Sequence, residues 1–408
     1  MNIPLATLVC VFALIAMRRL GRLRVAIWQA MVGGAVVVML TGQIGLVAAI
    51  RAIDPDVMLF LFGMFVVGQA LVASNYLYFF AYRLLSRATS PGAIVMAVLF
   101  AAGMASTVLM NDAVAIIGTP LMLRLAREHR MDPKLLLLTL AFSVTIGSVM
   151  SPIGNPQNVL IAVGTGLHSP FASFLRGLAV PTLINLVVAY GVLRLFFRDS
   201  FRARVLVHAP VAVTDPALAS LARTALLTVI MLAAANAVLE RTGMAHLPLS
   251  WIALAAALPL LVLSPRRREL VRDIDWKTLA FFAAMFVLTA SVWHTGYIQS
   301  QLARWHLDLT DVYTIMGVST LLSQLISNVP LVALYLPLVA HAGVHAALAL
   351  AAGSTIAGNL LILGAASNVI IVQNAERCGT TLTFAEFARV GVPLTLLNFA
   401  VYVLFLGR

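Results

Sequence analysis

Residues Ser151 to Asn158, read SPIGNPQN, interrupt an apolar run and constrain the fold more than any other stretch. Residues 135–150 before them are apolar enough for a membrane helix, and residues 159–163 resume the pattern. Between lie two prolines, a glycine and two asparagines. Pro152 and Pro156 remove helical hydrogen bonds, and Gly154 admits backbone angles closed to other residues. Broken backbone at membrane depth survives only where protein covers it or where it lines a cavity. The stretch predicts a discontinuous helix with bare amides and carbonyls at its centre, the device by which secondary transporters bind ions and substrate.

The rest of the chain agrees with a membrane setting. Its 408 residues are 62% hydrophobic and only 10% charged, which excludes an ordinary soluble domain and predicts an all-α polytopic membrane protein. Cys10 and Cys378 give neither a disulfide framework nor a metal cluster. No basic stretch precedes the first apolar run, so no cleaved signal peptide is expected. The formal charge of +12 could suggest nucleic acid as a partner. The arginines instead sit in short loops between apolar runs, which is a topology signal. The chain has no Walker motif, no GxSxG and no metal-ligand pair at helical spacing. A lone acid at depth supplies no nucleophile–base pair, so we expect no enzyme, no catalytic residue, no metal and no cofactor beyond a coupling ion, H⁺ or Na⁺.

Apolar runs lie at residues 3–17, 26–40, 57–82, 92–123 (interrupted at Asn111-Asp112), 135–165 (broken) and 172–197. Residues 198–220 form a polar linker. Runs then follow at 221–239, 248–264, 276–297, 310–342 (broken at Ser327 to Pro330), 346–375 (broken) and 384–407. The order repeats, and so do residues. Asn111 to Pro120 (NDAVAIIGTP) lies over Asn328 to Pro337 (NVPLVALYLP), a shift of 217. Thr145-Ile146, Gly154 and Asn158-Val159 lie over Thr355-Ile356, Gly364 and Asn368-Val369, a shift of 210.

Each half, 1–197 and 221–408, thus has five crossing segments plus one helical hairpin. An odd number of crossings inserts the second half upside down, so an inverted repeat is expected, with 198–220 as a cytoplasmic linker. Placing the N-terminus outside leaves only Arg51, Arg176, Arg241, Arg304 and Arg408 of the 27 basic residues outside. That bias fits a multi-pass protein of the cell's inner (plasma) membrane.

Asp112 is the sharpest single residue. Of the 15 acids it alone lies far from a predicted membrane edge. A carboxylate at bilayer depth costs a few kcal/mol on insertion scales, so a functional role, here proton coupling, is the default reading. The plain alternative is a protonated Asp capping the second arm of its own hairpin. Asn111, Asn158, Asn328 and Asn368 sit at the four breaks, where an amide can stitch a loop or coordinate a ligand. Half-helices that start after the breaks aim positive dipole ends at the centre. Pro156, Pro330, Gly154 and Gly364 are expected to shape loops. No Lys or Arg lies at depth to hold a multivalent anion, and His294 reads as an interfacial residue.

These residues carry a resemblance. IGSVMSPIGNPQNVLIA (146–162), preceded by LMNDAVAIIGTP and followed by LISNVPLVALYLP and STIAGNLLILGAASNVIIVQNAER, resembles the ion transporter superfamily, nearest its arsenite-permease and sodium–proton antiporter branch. That branch includes plant silicon efflux transporters and bacterial anion transporters with a citrate-transporter-like domain. The resemblance implies a scaffold (1–87 and 221–305) and a mobile transport domain (92–197 and 309–408) that move as an elevator, often in a homodimer. It places Asn111, Asp112, Ser327 and Asn328 at hairpin tips that hold substrate or ions. It places Gly154, Asn155, Asn158, Gly364, Ser367 and Asn368 at the breaks with the same role. Related dicarboxylate carriers have Ser-Asn-Thr at both tips, whereas here the tips read Met-Asn-Asp and Ser-Asn-Val. The expectation is proton-coupled export of a small weak oxyacid of the arsenite or silicate type. Two alternatives stay open: sodium-coupled uptake of an organic or inorganic anion, and sodium–proton antiport.

Overall fold

Polar-proline pairs set several helix starts in the computed structural model. It describes residues 2–17, 19–20, 23–24, 26–76, 79, 88, 90–167, 169–202, 215–241, 247–297, 300, 309–326 and 328–407. Asp54, Ser90, Asp132 and Asn155 each accept a backbone N–H of the next turn, and each precedes a proline at the first helical position. The side chain satisfies an orphan donor while the proline removes another, so each pair starts a helix sharply.

In chain order the helices are α1 (Ile3–Met17), α2 (Ile27–Leu40), α3 (Leu46–Ala52), α4 (Pro55–Ala73), α5 (Pro91–Val108) and α6 (Asn111–Glu128). Next come α7 (Pro133–Ser148), α8 (Pro156–Gly164), α9 (Pro170–Phe196), α10 (Pro216–Arg241), α11 (Leu249–Leu263) and α12 (Arg267–Arg272). The last are α13 (Trp276–His294), α14 (Val312–Ile326), α15 (Asn328–Val339), α16 (Val344–Ile356), α17 (Ala366–Arg377) and α18 (Phe384–Leu406). Six helices among the described residues, α4, α5, α9, α10, α13 and α18, are long and apolar enough to cross a membrane. Among the described residues the strand content is a two-residue antiparallel ladder, Arg19–Leu20 on Leu23–Arg24.

Both broken helices occur where the sequence places them, between α7 and α8 and between α16 and α17. Three details differ from the sequence reading. The first hairpin turns at Leu109-Met110, so Asn111 and Asp112 are the opening residues of α6. The Asn111 backbone N–H donates to the Gly154 carbonyl at 2.9 Å, which draws the turn one residue earlier. Helix α4 stops at Ala73, where Asn75 takes φ 61°. The short helices α3 and α12 lie in stretches too brief to show a hydropathy run. Ser327 and residues 203–214 of the linker lie outside the described residues.

Packing pairs the elements in a mirrored way. Helix α5 packs on α7 as α14 packs on α16, and α4 packs on α11 as α13 packs on α2. Helix α6 lies on α17 as α15 lies on α8, and α9 packs on α18. The α5–α7 crossing is very close: a Cβ on Gly147 would sit 2.1 Å from the Gly103 carbonyl oxygen. Only paired glycines allow two backbones to approach so nearly. Between α9 and α18, Asn398 donates to the Asn185 side-chain oxygen at 2.9 Å, and Asn359 donates to Asn398 at 3.1 Å. The hydroxyls of Thr182 and Tyr402 meet at 2.8 Å in the same interface.

Charged contacts gather helix ends. Lys134 at the start of α7 pairs with Glu386 at the start of α18. Arg389 lies 5.7 Å from the Phe196 ring centroid at the end of α9. Asp215, which precedes α10, pairs with Arg266 at 3.5 Å, beside the end of α11. Ser250 donates to Asp56 at 2.6 Å, so α4 and α11 start side by side.

Candidate functional site

The first break is tied at nearly every polar atom. Asn155 caps α8 by accepting the Asn158 N–H at 2.9 Å, and it donates to the Ser148 hydroxyl at 3.0 Å. Asn158 donates to the carbonyls of Ser148 (3.0 Å) and Ser151 (2.9 Å), which the proline-broken backbone leaves without helical partners. Thr355, from the helix before the second break, reaches across to this cluster. Its hydroxyl accepts from Asn155 and Gln157, each at 3.3 Å, and donates to Asn158 at 3.4 Å. Gly154 is required sterically, because a Cβ there would lie 2.6 Å from the carbonyls of both Ser106 and Ser148. It shapes the break without offering a side chain.

The second break has the same outline and fewer ties. The residues a shift of 210 away from Asn155 and Gln157 are Ala365 and Ser367. Helix α17 therefore has Ala365 at its N-cap position and no side-chain cap. Thr145, the counterpart of Thr355, keeps a buried hydroxyl without a partner. Asn368 donates to the Gly358 carbonyl at 2.5 Å, and its amide oxygen is left unpartnered. Gln324 from α14 holds the break by donating to the Ala357 carbonyl at 2.7 Å. A Cβ on Gly364 would meet that same carbonyl at 2.6 Å, so Gly364 also acts by its smallness.

The hairpin tips face these breaks. Asn111 and Asp112 open α6, which packs on α17, and the Asn111 backbone bonds to the first break. Asp112 is half-buried and has no hydrogen bond or ion pair among the described residues. It is not a cap, because that position belongs to Met110. As the second residue of α6 it lies in the positive end of the helix dipole, which stabilises a carboxylate there. Asn328 opens α15 against α8 and is buried with its amide oxygen free. Ser327, expected at this tip, is outside the described residues.

The unpartnered buried side-chain atoms of the region are all oxygens. They include the amide oxygens of Asn111, Asn328, Asn359 and Asn368 and the hydroxyls of Ser106, Thr145 and Ser367. A buried polar atom without a partner costs about 1–3 kcal/mol; the four amide oxygens call for a donor, and the three hydroxyls can accept or donate. Ser106, Thr145 and Asn359 escaped the sequence reading. Thr145 was readable as the partner of Thr355 under the repeat, and the two others stand inside apolar runs with no local signal.

The family model described as CitMHS, citrate transporter, matches residues 12–347. An uncharacterised transporter of Mycobacterium tuberculosis is 29% identical over 98% of this chain and 96% of its own length. The silicon efflux transporter LSI3 of Oryza sativa is 27% identical over 92% of this chain and 91% of its own. The human P protein is 24% identical, and the match takes in 99% of this chain and 59% of that longer protein. Among solved structures, the YdaH transporter of Alcanivorax borkumensis superposes with TM-score 0.56 at 15% identity, covering 100% of this chain and 98% of that one. That likeness establishes the fold.

Proposed function

We propose that this chain, which belongs to the citrate transporter (CitMHS) family, is a proton-coupled exporter of a small weak oxyacid such as arsenous or silicic acid. Membership makes it a multi-pass membrane transporter and not an enzyme. The observation that carries the finer reading is the set of free acceptor oxygens at the tips and the second break. A neutral polyhydroxy acid arrives with O–H donors and satisfies them. A citrate-type anion brings several carboxylate acceptors and needs cationic partners, and no Lys or Arg stands in residues 92–123, 135–163, 310–342 or 346–376, which carry the tips and breaks. The silicon efflux relative points the same way. Asp112 is the group that exchanges the proton, and the starts of α8 and α17 supply backbone N–H groups to an oxygen that develops charge.

The mirrored packing supports an inverted repeat of residues 1–197 and 221–408 around the linker 198–220. It fits a scaffold of 1–87 and 221–305 carrying mobile elements 92–197 and 309–408, with an elevator motion and a homodimeric assembly as the resemblance implies. Gathering of basic helix ends at Lys134, Arg266 and Arg389 supports a cytoplasmic placement for that side, in the inner membrane.

A second reading rests on the same oxygens. Hard neutral acceptors also suit Na⁺. Sodium would then be the coupling ion for anion uptake, or the cargo of a sodium–proton antiporter with Asp112 as the shared acid. Purified protein in vesicles separates the two. A pH gradient alone should drive accumulation of arsenous or silicic acid. Accumulation that needs a Na⁺ gradient and ignores the pH gradient would select the sodium reading.

A further inference from the structure

A groove of about 630 Å³ runs between the first hairpin and α10, and its inner end reaches Val108 and Leu109 at the hairpin tip. Its floor on α5 is the small-residue stripe Ala97, Ala101 and Ala105, four residues apart and therefore on one helical face. Its walls are Leu121 on α6 and Leu226 and Ile230 on α10, and the lining is almost wholly apolar. From Ala97 to Val108 the stripe is about 16 Å long at a 1.5 Å rise, which is the depth of one leaflet of a ~30 Å hydrocarbon core.

The same helical stripes turn basic at one end. Arg223 stands three residues before Leu226 on α10, and Arg124 three residues after Leu121 on α6. Arg124 bonds Glu128 at 2.7 Å, so much of its charge is already answered. Arg223 is exposed and has no acidic partner among the described residues. Asp215, two turns before it on the approach to α10, is engaged with Arg266. A one-leaflet apolar slot ending in an unanswered guanidinium has the shape and charge of a single lipid: acyl chain in the slot, phosphate on the arginine.

We propose that this groove is a binding site for an anionic phospholipid of the bilayer, with Arg223 as its headgroup ligand. The site touches the hairpin on one side and α10 on the other, so its occupant bridges the two. It is independent of the cargo assignment, because the readout below is lipid retention and not transport.

The test is phospholipid analysis of protein purified in mild detergent from membranes of mixed zwitterionic and anionic lipid. The intact chain should retain a stoichiometric anionic phospholipid enriched several-fold over its share of the membrane. Arg223→Gln should lower that enrichment to the membrane ratio while leaving the groove open. Ala101→Trp, which fills the floor, should remove the tightly held lipid altogether. Retention without anionic enrichment in the intact chain would overturn the proposal, and so would Arg223→Gln retaining the lipid unchanged. If Ala101→Trp or Arg223→Gln changes the oligomeric mass and not the lipid content, the groove seats a second copy of this chain and the lipid assignment falls.

Discussion

Asn158 and Asn368 stand at equivalent places in the two breaks and do different work. Asn158 donates to two carbonyls and accepts from Thr355, so it holds the loop closed. Asn368 makes one bond and offers a free oxygen. Replacing Asn158 by Ala strands buried carbonyls, each worth about 1–3 kcal/mol, so Asn158→Ala should destabilise the protein by about 2–4 kcal/mol. Asn368→Ala should cost about 1 kcal/mol and chiefly lower flux. Thermal unfolding in detergent beside vesicle transport checks both. A folded, slow Asn158→Ala with an unstable Asn368→Ala would reverse the assignment. Sequence alone makes the two asparagines look equal, because the difference lies in their neighbours. Asn155 and Gln157 fill the first site where Ala365 and Ser367 leave the second open.

Helix breaks are local events, and that is why SPIGNPQN was readable. A polar cap, a proline at the first helical position and a glycine in the turn act within a few residues. The closeness of α5 and α7 is not local. Gly103 and Gly147 are ordinary glycines in apolar runs until the fold brings them together. The buried pair Asn185 and Asn398 was likewise hidden, since each is one polar residue in a long apolar helix. The contact makes a direct prediction. A Cβ at residue 147 would meet Gly103 backbone at 2.1–2.5 Å, so Gly147→Ala should force the helices apart and cost about 1–3 kcal/mol or more. At Gly191 on α9 nothing lies within 4 Å, so Gly191→Ala should be neutral or stabilise by up to about 1 kcal/mol through helix propensity. Melting temperatures of the two variants check this, and equal effects would mean that the crossing is looser than described.

For the whole molecule, the arginine distribution and the ion-paired helix ends make a topology prediction. With the N-terminus outside, residue 43 after α2 faces out and residue 198 after α9 faces in. In a background of Cys10→Ser and Cys378→Ser, an impermeant thiol reagent added outside should label Gln43→Cys and spare Arg198→Cys. The opposite pattern would place the basic side outside and remove support for the inverted repeat.

The central claim is that a transporter with acceptor-rich tips moves a neutral weak oxyacid against protons through Asp112. On the proposed mechanism, protonation would neutralise Asp112 and favour movement of the carrier without cargo, and cargo binding would favour proton release. Asn preserves the shape of Asp112 and removes its charge. The decisive measurement is pH-gradient-driven accumulation of arsenous or silicic acid in vesicles holding the intact chain or Asp112→Asn. The intact chain should build a gradient that scales with the imposed pH difference. Asp112→Asn should build none, and any exchange left to it should be independent of pH. An Asp112→Asn protein that still concentrates the oxyacid under a pH gradient would contradict the account.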